Sequence, residues 1–261
     1  YLAEVIPQDG AAQYFATVSR YSSNAPAGVE PESYNFAFAI DGRAGTGDTQ
    51  YMVTSNETGT CYSQTNWVEV INVREKAVTA SIIFRGTDGS VLSGGIAEQV
   101  IKAKAQFHFN AGAMLPKGKP GSVELVSSDP GALVAQSLVY YHDCTENKVQ
   151  TAYVSQARIA GRDVQAGSIN TFLGMEDQLR VVATSQTRTA VTAELRTFDA
   201  GAALITAQLE LSNYNTTSIH TNGGQFTVQA DRYGALTLRA SEPGKFTAEV
   251  LLVRPAEGGR I

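Results

Sequence analysis

The residues able to do chemistry are few in this chain, and their spacing is uninformative for catalysis. His108, His142 and His220 stand apart, with no HxxxH or HExxH run, so none sits in a local motif that builds a metal site. Each falls in or at the end of a strand-like segment, where a surface imidazole is the ordinary outcome. No GxSxG elbow marks a serine nucleophile, and no glycine-rich phosphate loop opens a helix. The loop IDGRAGTGDTQ, residues 40–50, places Asp41 and Asp48 around Gly45 and Gly47. Two carboxylates on a flexible turn are a weak calcium candidate, since that ion takes six to eight oxygens. The alternative is a plain loop with an Asp41-Gly42 turn. No pair of acids is singled out for glycoside hydrolysis, and no cofactor is expected.

One aromatic has a stronger claim. Trp67, the single tryptophan, lies in the alternating segment TNWVEVIN. Alternation sends Val68 and Val70 to the core and puts Trp67 and Glu69 on the opposite, outer face. An outward indole stacks on a sugar ring or anchors a protein contact, with Glu69 and the nearby Tyr62 as companions. Its other reading is packing against a long loop or a neighbouring module. Cys61 and Cys144 flank two strands whose ends meet if they run antiparallel, so a disulfide is geometrically open to them. Two reduced thiols are the alternative.

These residues need a frame, and the sequence supplies one by repetition. LAEVIPQDGAAQYFATVSRYSS (2–23), GSVELVSSDPGALVAQSLVYYHD (121–143) and GALTLRASEPGKFTAEVLLVRP (234–255) each read as strand, turn, strand. Upstream of the last two copies, NVREKAVTASIIFRGTDGSVL matches SQTRTAVTAELRTFDAGAALI with AVTA in phase. YNFAFAIDGRAGTGDTQYM likewise matches TAYVSQARIAGRDVQAGSI, an opening strand followed by a glycine-rich loop. That phase sets Val68 against Val181, Val70 against Ala183, Trp67 against Arg180 and Glu69 against Val182. Turn signals every 8–12 residues between short strands predict an all-β chain. The expected fold is two tandem antiparallel β-sandwich modules, immunoglobulin-like in architecture, preceded by a β-hairpin. The expected divisions are 1–32 for the hairpin and its linker, 33–145 for the first module and 146–261 for the second. The segment 96–105 is the one stretch that also reads as helix.

The closing hairpin VSSDPGALVAQSLVYYHD and the run from WVEVIN into VTASIIFRGTDG resemble the sensory rhodopsin transducer family. The resemblance implies a sandwich that binds a protein or carbohydrate and catalyses nothing. That family carries one sandwich per chain, so a rhodopsin partner does not transfer to a tandem arrangement.

Composition narrows the functions. A net charge of −5 with no basic run excludes phosphate-backbone binding as a principal role. No apolar run approaches the ~20 residues of a membrane helix, so membrane insertion is not expected. Small β-forming residues, 24 glycines and 17% charged residues resemble exported bacterial proteins: secreted, periplasmic or cell-surface. The leading hairpin carries Leu2, Val5, Tyr14, Phe15, Val18 and Tyr21, which need burial. It either docks on the first module or self-associates by strand exchange, and a further module upstream is expected. The first expectation is a noncatalytic surface stalk, adhesin or interaction module whose partner is a cell-surface protein or glycan. A carbohydrate-binding module around Trp67 is the second, and an enzyme with a site between the modules is the third.

Overall fold

Alternating Val, Ile, Thr and Ala with polar neighbours produces pleated strands, because β-branched side chains pack well on a half-buried sheet. The computed structural model describes residues 16–22, 36–42, 45–56, 62–143, 149–161, 164–198, 204–220, 222–223 and 226–253. In chain order these give β1 (Thr17–Ser22), β2 (Phe36–Asp41), β3 (Thr49–Ser55), β4 (Tyr62–Asn72), β5 (Val78–Arg85), β6 (Val91–Ile101), β7 (Gln106–Asn110), β8 (Pro120–Ser127) and β9 (Leu133–Asp143). They continue with β10 (Val149–Gln156), β11 (Val164–Asn170), β12 (Glu176–Ala183), β13 (Thr189–Thr197), β14 (Leu204–Leu211) and β15 (Thr216–His220). The short β16 (Asn222–Gly223) and β17 (Phe226–Thr227) precede β18 (Tyr233–Ala240) and β19 (Phe246–Val253). The ambiguous stretch at 96–105 is strand through Ile101 and then turn.

The strands build two antiparallel sandwiches. In the first, sheet β3-β8-β5-β6 packs on sheet β10-β9-β4-β7, closing a core that includes Met52, Val68, Val70, Ile82, Phe84, Leu125 and Leu133. In the second, sheet β11-β18-β13-β14 packs on β15-β12-β19 around Leu179, Val181, Ala183, Leu195, Leu211, Leu238 and Phe246. The inward positions expected from alternation, Val68, Val70, Val181 and Ala183, are all buried.

Strand for strand the sandwiches correspond, and their loop hydrogen bonds fix the register. Val73 donates its N–H to the Ala132 carbonyl as Thr184 does to Lys245. Ser128 donates to Thr79 as Ser241 does to Ala190, and Lys104 donates to Arg74 as Tyr214 does to Ser185. This register differs by two residues from the AVTA match. Trp67 corresponds to Gln178, and Glu69 to Arg180. A two-residue shift keeps every side chain on its face, which is why the inward assignment survives while the outer-face pairing of Trp67 with Arg180 does not.

A strand pairing crosses the expected division at residue 145. Strand β10, read as opening the second module, hydrogen-bonds along β9 in the first sandwich's sheet, from Val149↔His142 to Gln156↔Gln136. The pair β1–β2 repeats the arrangement, with Thr17↔Asp41 to Ser22↔Phe36. In both places a closing strand is extended by the opening strand that follows it. The ribbon β1–β2 lies against the first sandwich, where Gln156 Nε2 donates to the Asp41 carbonyl at 3.0 Å. Residues 1–15, which hold Leu2, Val5, Tyr14 and Phe15, fall outside the described residues, as does the link 144–148.

Candidate functional site

The outer face of the first sandwich is built by three neighbouring strands. On β4, Trp67 and Glu69 alternate outward, and cross-strand pairing brings Asn110 and Leu138 beside Trp67, and His108 and Gln136 beside Glu69. Trp67 is 39% exposed, whereas Glu69 is buried. Gln136 Nε2 donates to Glu69 Oε2 at 2.6 Å, and His108 Nε2 stands 3.9 Å from Glu69 Oε1. The carboxylate is thus engaged within the sheet, and the indole is the feature offered outward. Of Tyr62 only the backbone is described, opposite Asp143. The Tyr62–Asp143 pair does bring the flanks of Cys61 and Cys144 together; the two cysteines themselves lie outside the described residues. His142 shares a 3.0 Å hydrogen bond with Thr65 Oγ1, and His220 ends β15 opposite Gln178.

At the calcium candidate the described geometry is backbone packing. Asp41 and Asp48 are both exposed, and among the described residues no group of three or more acidic, histidine or cysteine side chains converges. Gly131 donates its N–H to the Gly47 carbonyl at 2.6 Å, and a Cβ on Gly45 would lie 2.2 Å from the Gly131 carbonyl oxygen. Gly45 is there because two backbones touch.

Sequence reasoning missed the most chemically loaded place, which is where the sandwiches meet. Arg180 on β12 is 1% exposed and sits directly across from Glu249 on β19. Its Nη1 donates to the Tyr153 hydroxyl at 2.7 Å, and its Nη2 to Gln178 Oε1 at 3.2 Å. The guanidinium lies 5.6 Å from the Tyr153 ring centre. Tyr153 belongs to β10, so this outer face of the second sandwich is closed by a strand of the first. Glu249 Oε1 is sealed from solvent. Burial holds the Glu249 carboxyl above the ordinary carboxylate range, against the opposing pull of Arg180, the Ser155 hydroxyl and Arg158. Beside it, Tyr51 exchanges both backbone hydrogen bonds with Arg158 and donates its hydroxyl to the Thr184 carbonyl at 3.4 Å. Burial foremost, then the nearby Glu124, pushes the Tyr51 phenol up, so it remains a neutral donor.

A crevice of about 10 Å³, room for about one water, opens here, lined among others by Tyr51, Ser155, Arg158, Val182 and Glu249. Ligand pockets start near ~300 Å³, and this one holds a single carboxyl, so it lacks the two facing acids of glycoside hydrolysis. Its groups pair with one another across the boundary.

A second contact fixes the same junction. The β5–β6 turn of the first sandwich meets the turn before β15. Thr216 N–H donates to the Thr87 carbonyl at 2.9 Å, and the Arg85 guanidinium lies 4.0 Å over the Tyr214 ring. Arg85 is itself held by Glu124 at 2.5 Å. Gly89 has φ +83°, and a Cβ there would fall 1.6 Å from the Asn213 carbonyl oxygen. Asn213 and Tyr214 hold φ of +50° and +59°, and Lys104 in the corresponding turn holds +51°. The signal for this contact lay in the second turn sequence, Ser212-Asn213-Tyr214-Asn215, whose aromatic has no counterpart in Lys102-Ala103-Lys104-Ala105.

No protein-family model and no curated protein matches this sequence. A solved structure, the crystal structure of Thermotoga maritima 1070, is 17% identical, covers 43% of this chain and 94% of its own length, and superposes with a TM-score of 0.33. A likeness at that level carries no argument about function.

Proposed function

We propose that this chain is a noncatalytic, exported bacterial β-sandwich array that serves as a stalk, adhesin or interaction module at a cell surface. The observation that carries the reading is the junction. A spacer that transmits position or load needs modules held at a fixed angle. Arg180, Glu249 and Tyr153 on one side, with Arg85 and Tyr214 on the other, tie the sandwiches at two separated points. Low charge density, small β-forming residues and a cysteine pair flanking apposed strand ends support export. Small-angle X-ray scattering of the wild type and of an Arg180→Ala/Tyr214→Ala variant tests it. The wild type should scatter as one rigid body and the variant as two jointed ones with unchanged circular dichroism. A wild-type profile requiring free rotation between sandwiches would reject a spacer role.

A second reading, glycan binding, is favoured by the outward Trp67 with Asn110 beside it. A glycan array on wild type and Trp67→Ala decides it: binding lost in the variant supports it, and binding absent or unchanged removes it.

A further inference from the structure

The two sandwiches differ at one edge. In the first, β9 is flanked by β4 and by β10. In the second, its equivalent β19 is flanked by β12 alone among the described strands. The Lys245 carbonyl accepts from Thr184 N–H, which points Lys245 toward β12. Backbone groups alternate in direction along a strand, so those of Val250 and Leu252 face the open side. Their counterparts in the first sandwich, Ser137 and Val139, are the residues that meet Ser155 and Tyr153 of β10. Leu252 is 44% exposed.

The same end of the second sandwich carries an apolar patch. Phe172, Phe198 and Tyr233 are all exposed, and the Tyr233 ring centre lies 5.9 Å from Phe172 and 6.1 Å from Phe198. By the hydrogen-bond register, Phe198 and Tyr233 stand where Thr87 and Pro120 stand in the first sandwich. Thr87 is part of the contact with the second sandwich. The surface that meets a following neighbour therefore carries the small Thr87, whose carbonyl is hydrogen-bonded across the junction, in the first sandwich, and is aromatic and exposed in the second.

We infer that this end of the second sandwich is a docking surface for the opening strand of a further sandwich of the same kind, supplied by a second copy of the chain. The strand β2 of that copy adds to β19 as β10 adds to β9, and its sandwich lies over the aromatic patch. In its own chain β2 is paired along six residues with β1 in a two-stranded sheet that rests on the first sandwich through β10. Exchanging β1 for β19 conserves the ladder of hydrogen bonds and adds burial of the three rings, so head-to-tail association is favoured. The inference rests on the array reading above and names its partner.

The test uses the whole chain and a fluorescent peptide of residues 33–42. Gly42 N–H donates to the Ala16 carbonyl, so by alternation Ile40 and Phe38 address the strand that β2 pairs with. Anisotropy should show the peptide binding, an N-methyl group on Phe38 and Ile40 should weaken it at least tenfold, and N-methylation of Ala37 and Ala39 should be tolerated. Leu252→Pro removes an N–H that faces the open side and leaves the β12 ladder intact. It should abolish both peptide binding and the concentration-dependent association seen by sedimentation velocity, and Phe198→Ser/Tyr233→Ser should weaken the association several-fold. Failure of the unmodified peptide to bind a chain that stays monomeric overturns the inference, as does equal binding of both N-methylated peptides. A rigid junction in scattering together with that failure would reject the head-to-tail partner and leave the array reading standing.

Discussion

Replacing Arg180 with methionine isolates the central electrostatic feature of the junction. Arg180 is 1% exposed and faces Glu249 across β12–β19, with Tyr153 as its hydrogen-bond partner from the first sandwich. Methionine fills similar volume, so the packing loss is small. What remains is a buried carboxyl without its cation, and breaking a buried pair this way costs about 3–5 kcal/mol. At roughly 4 °C per kcal/mol for a domain of this size, the second sandwich should melt some 12–20 °C lower by calorimetry. The pH response carries the sign. Burial already raises the Glu249 carboxyl, and Arg180 opposes that rise, so removing the cation raises it further. The folded chain then holds a proton that the unfolded chain releases. Stability is therefore retained below the ordinary glutamate range and lost as pH rises through the raised folded value. The deficit of Arg180→Met should accordingly be larger near neutrality than in mild acid. The double variant Arg180→Met/Glu249→Met, with neither charge present, should recover most of the loss and show no such pH dependence. A loss under about 1 kcal/mol in the single variant, or a deficit independent of pH, would refute the claim that the pair is buried and coupled.

Three other perturbations follow from contacts of the same kind. Gly89→Ala places a Cβ against the Asn213 carbonyl at a φ of +83°; the cost should be about 2 kcal/mol or more, with scattering showing a loosened junction and each sandwich still folded. Asn66→Ala deletes a buried amide that donates to Ser137 Oγ at 2.7 Å and the Leu138 carbonyl at 2.9 Å and accepts from Ser55 N–H at 3.2 Å; urea titration should show a loss of about 2–4 kcal/mol confined to the first sandwich. Because Tyr62 and Asp143 are directly opposed, Cys61 and Cys144 should resist alkylation in the unreduced protein, and reduction should lower the first sandwich's stability by up to about 4–5 kcal/mol, the chain-entropy limit for a loop of this length; immediate labelling of both thiols would exclude the bridge.

Period-two alternation made the all-β class and the inward positions readable, because facing depends only on parity: Val68 and Val181 are buried whether or not the repeat is aligned to the residue. Register was not readable. AVTA occurs in both copies, but the hydrogen bonds set Thr79 against Ala190, and nothing in a run of small residues marks a two-residue slide. The slide mattered for the site. It matched Arg180 with Trp67 where the structure matches it with Glu69; both sit on the outer face by parity, and parity does not show that Arg180 is covered by β10. The pairing of β10 with β9 across residue 145 was not readable for a related reason. A strand's position in sequence states what it follows, whereas its sheet is chosen by which edge offers unpaired backbone, and β9 offered one to β10. Gly45 was legible as a loop residue but not as a contact, since a glycine serving close approach and one serving flexibility look alike in sequence.

The corrected register also explains why the two sandwiches are not interchangeable. At one structural position the first holds Glu69 with Gln136 and the second holds Arg180 with Glu249. The first pair satisfies itself within its sheet through the 2.6 Å amide hydrogen bond. The second presents its guanidinium to the Tyr153 hydroxyl of the preceding sandwich. A neighbour bearing a hydroxyl and an apolar rim therefore suits the second face. The first face, with no arginine there, would leave the Tyr153 hydroxyl without its charged donor, and its Glu69 is already engaged by Gln136. Specificity is a difference between the two faces, and here that difference lies in one pair of outward positions on adjoining strands.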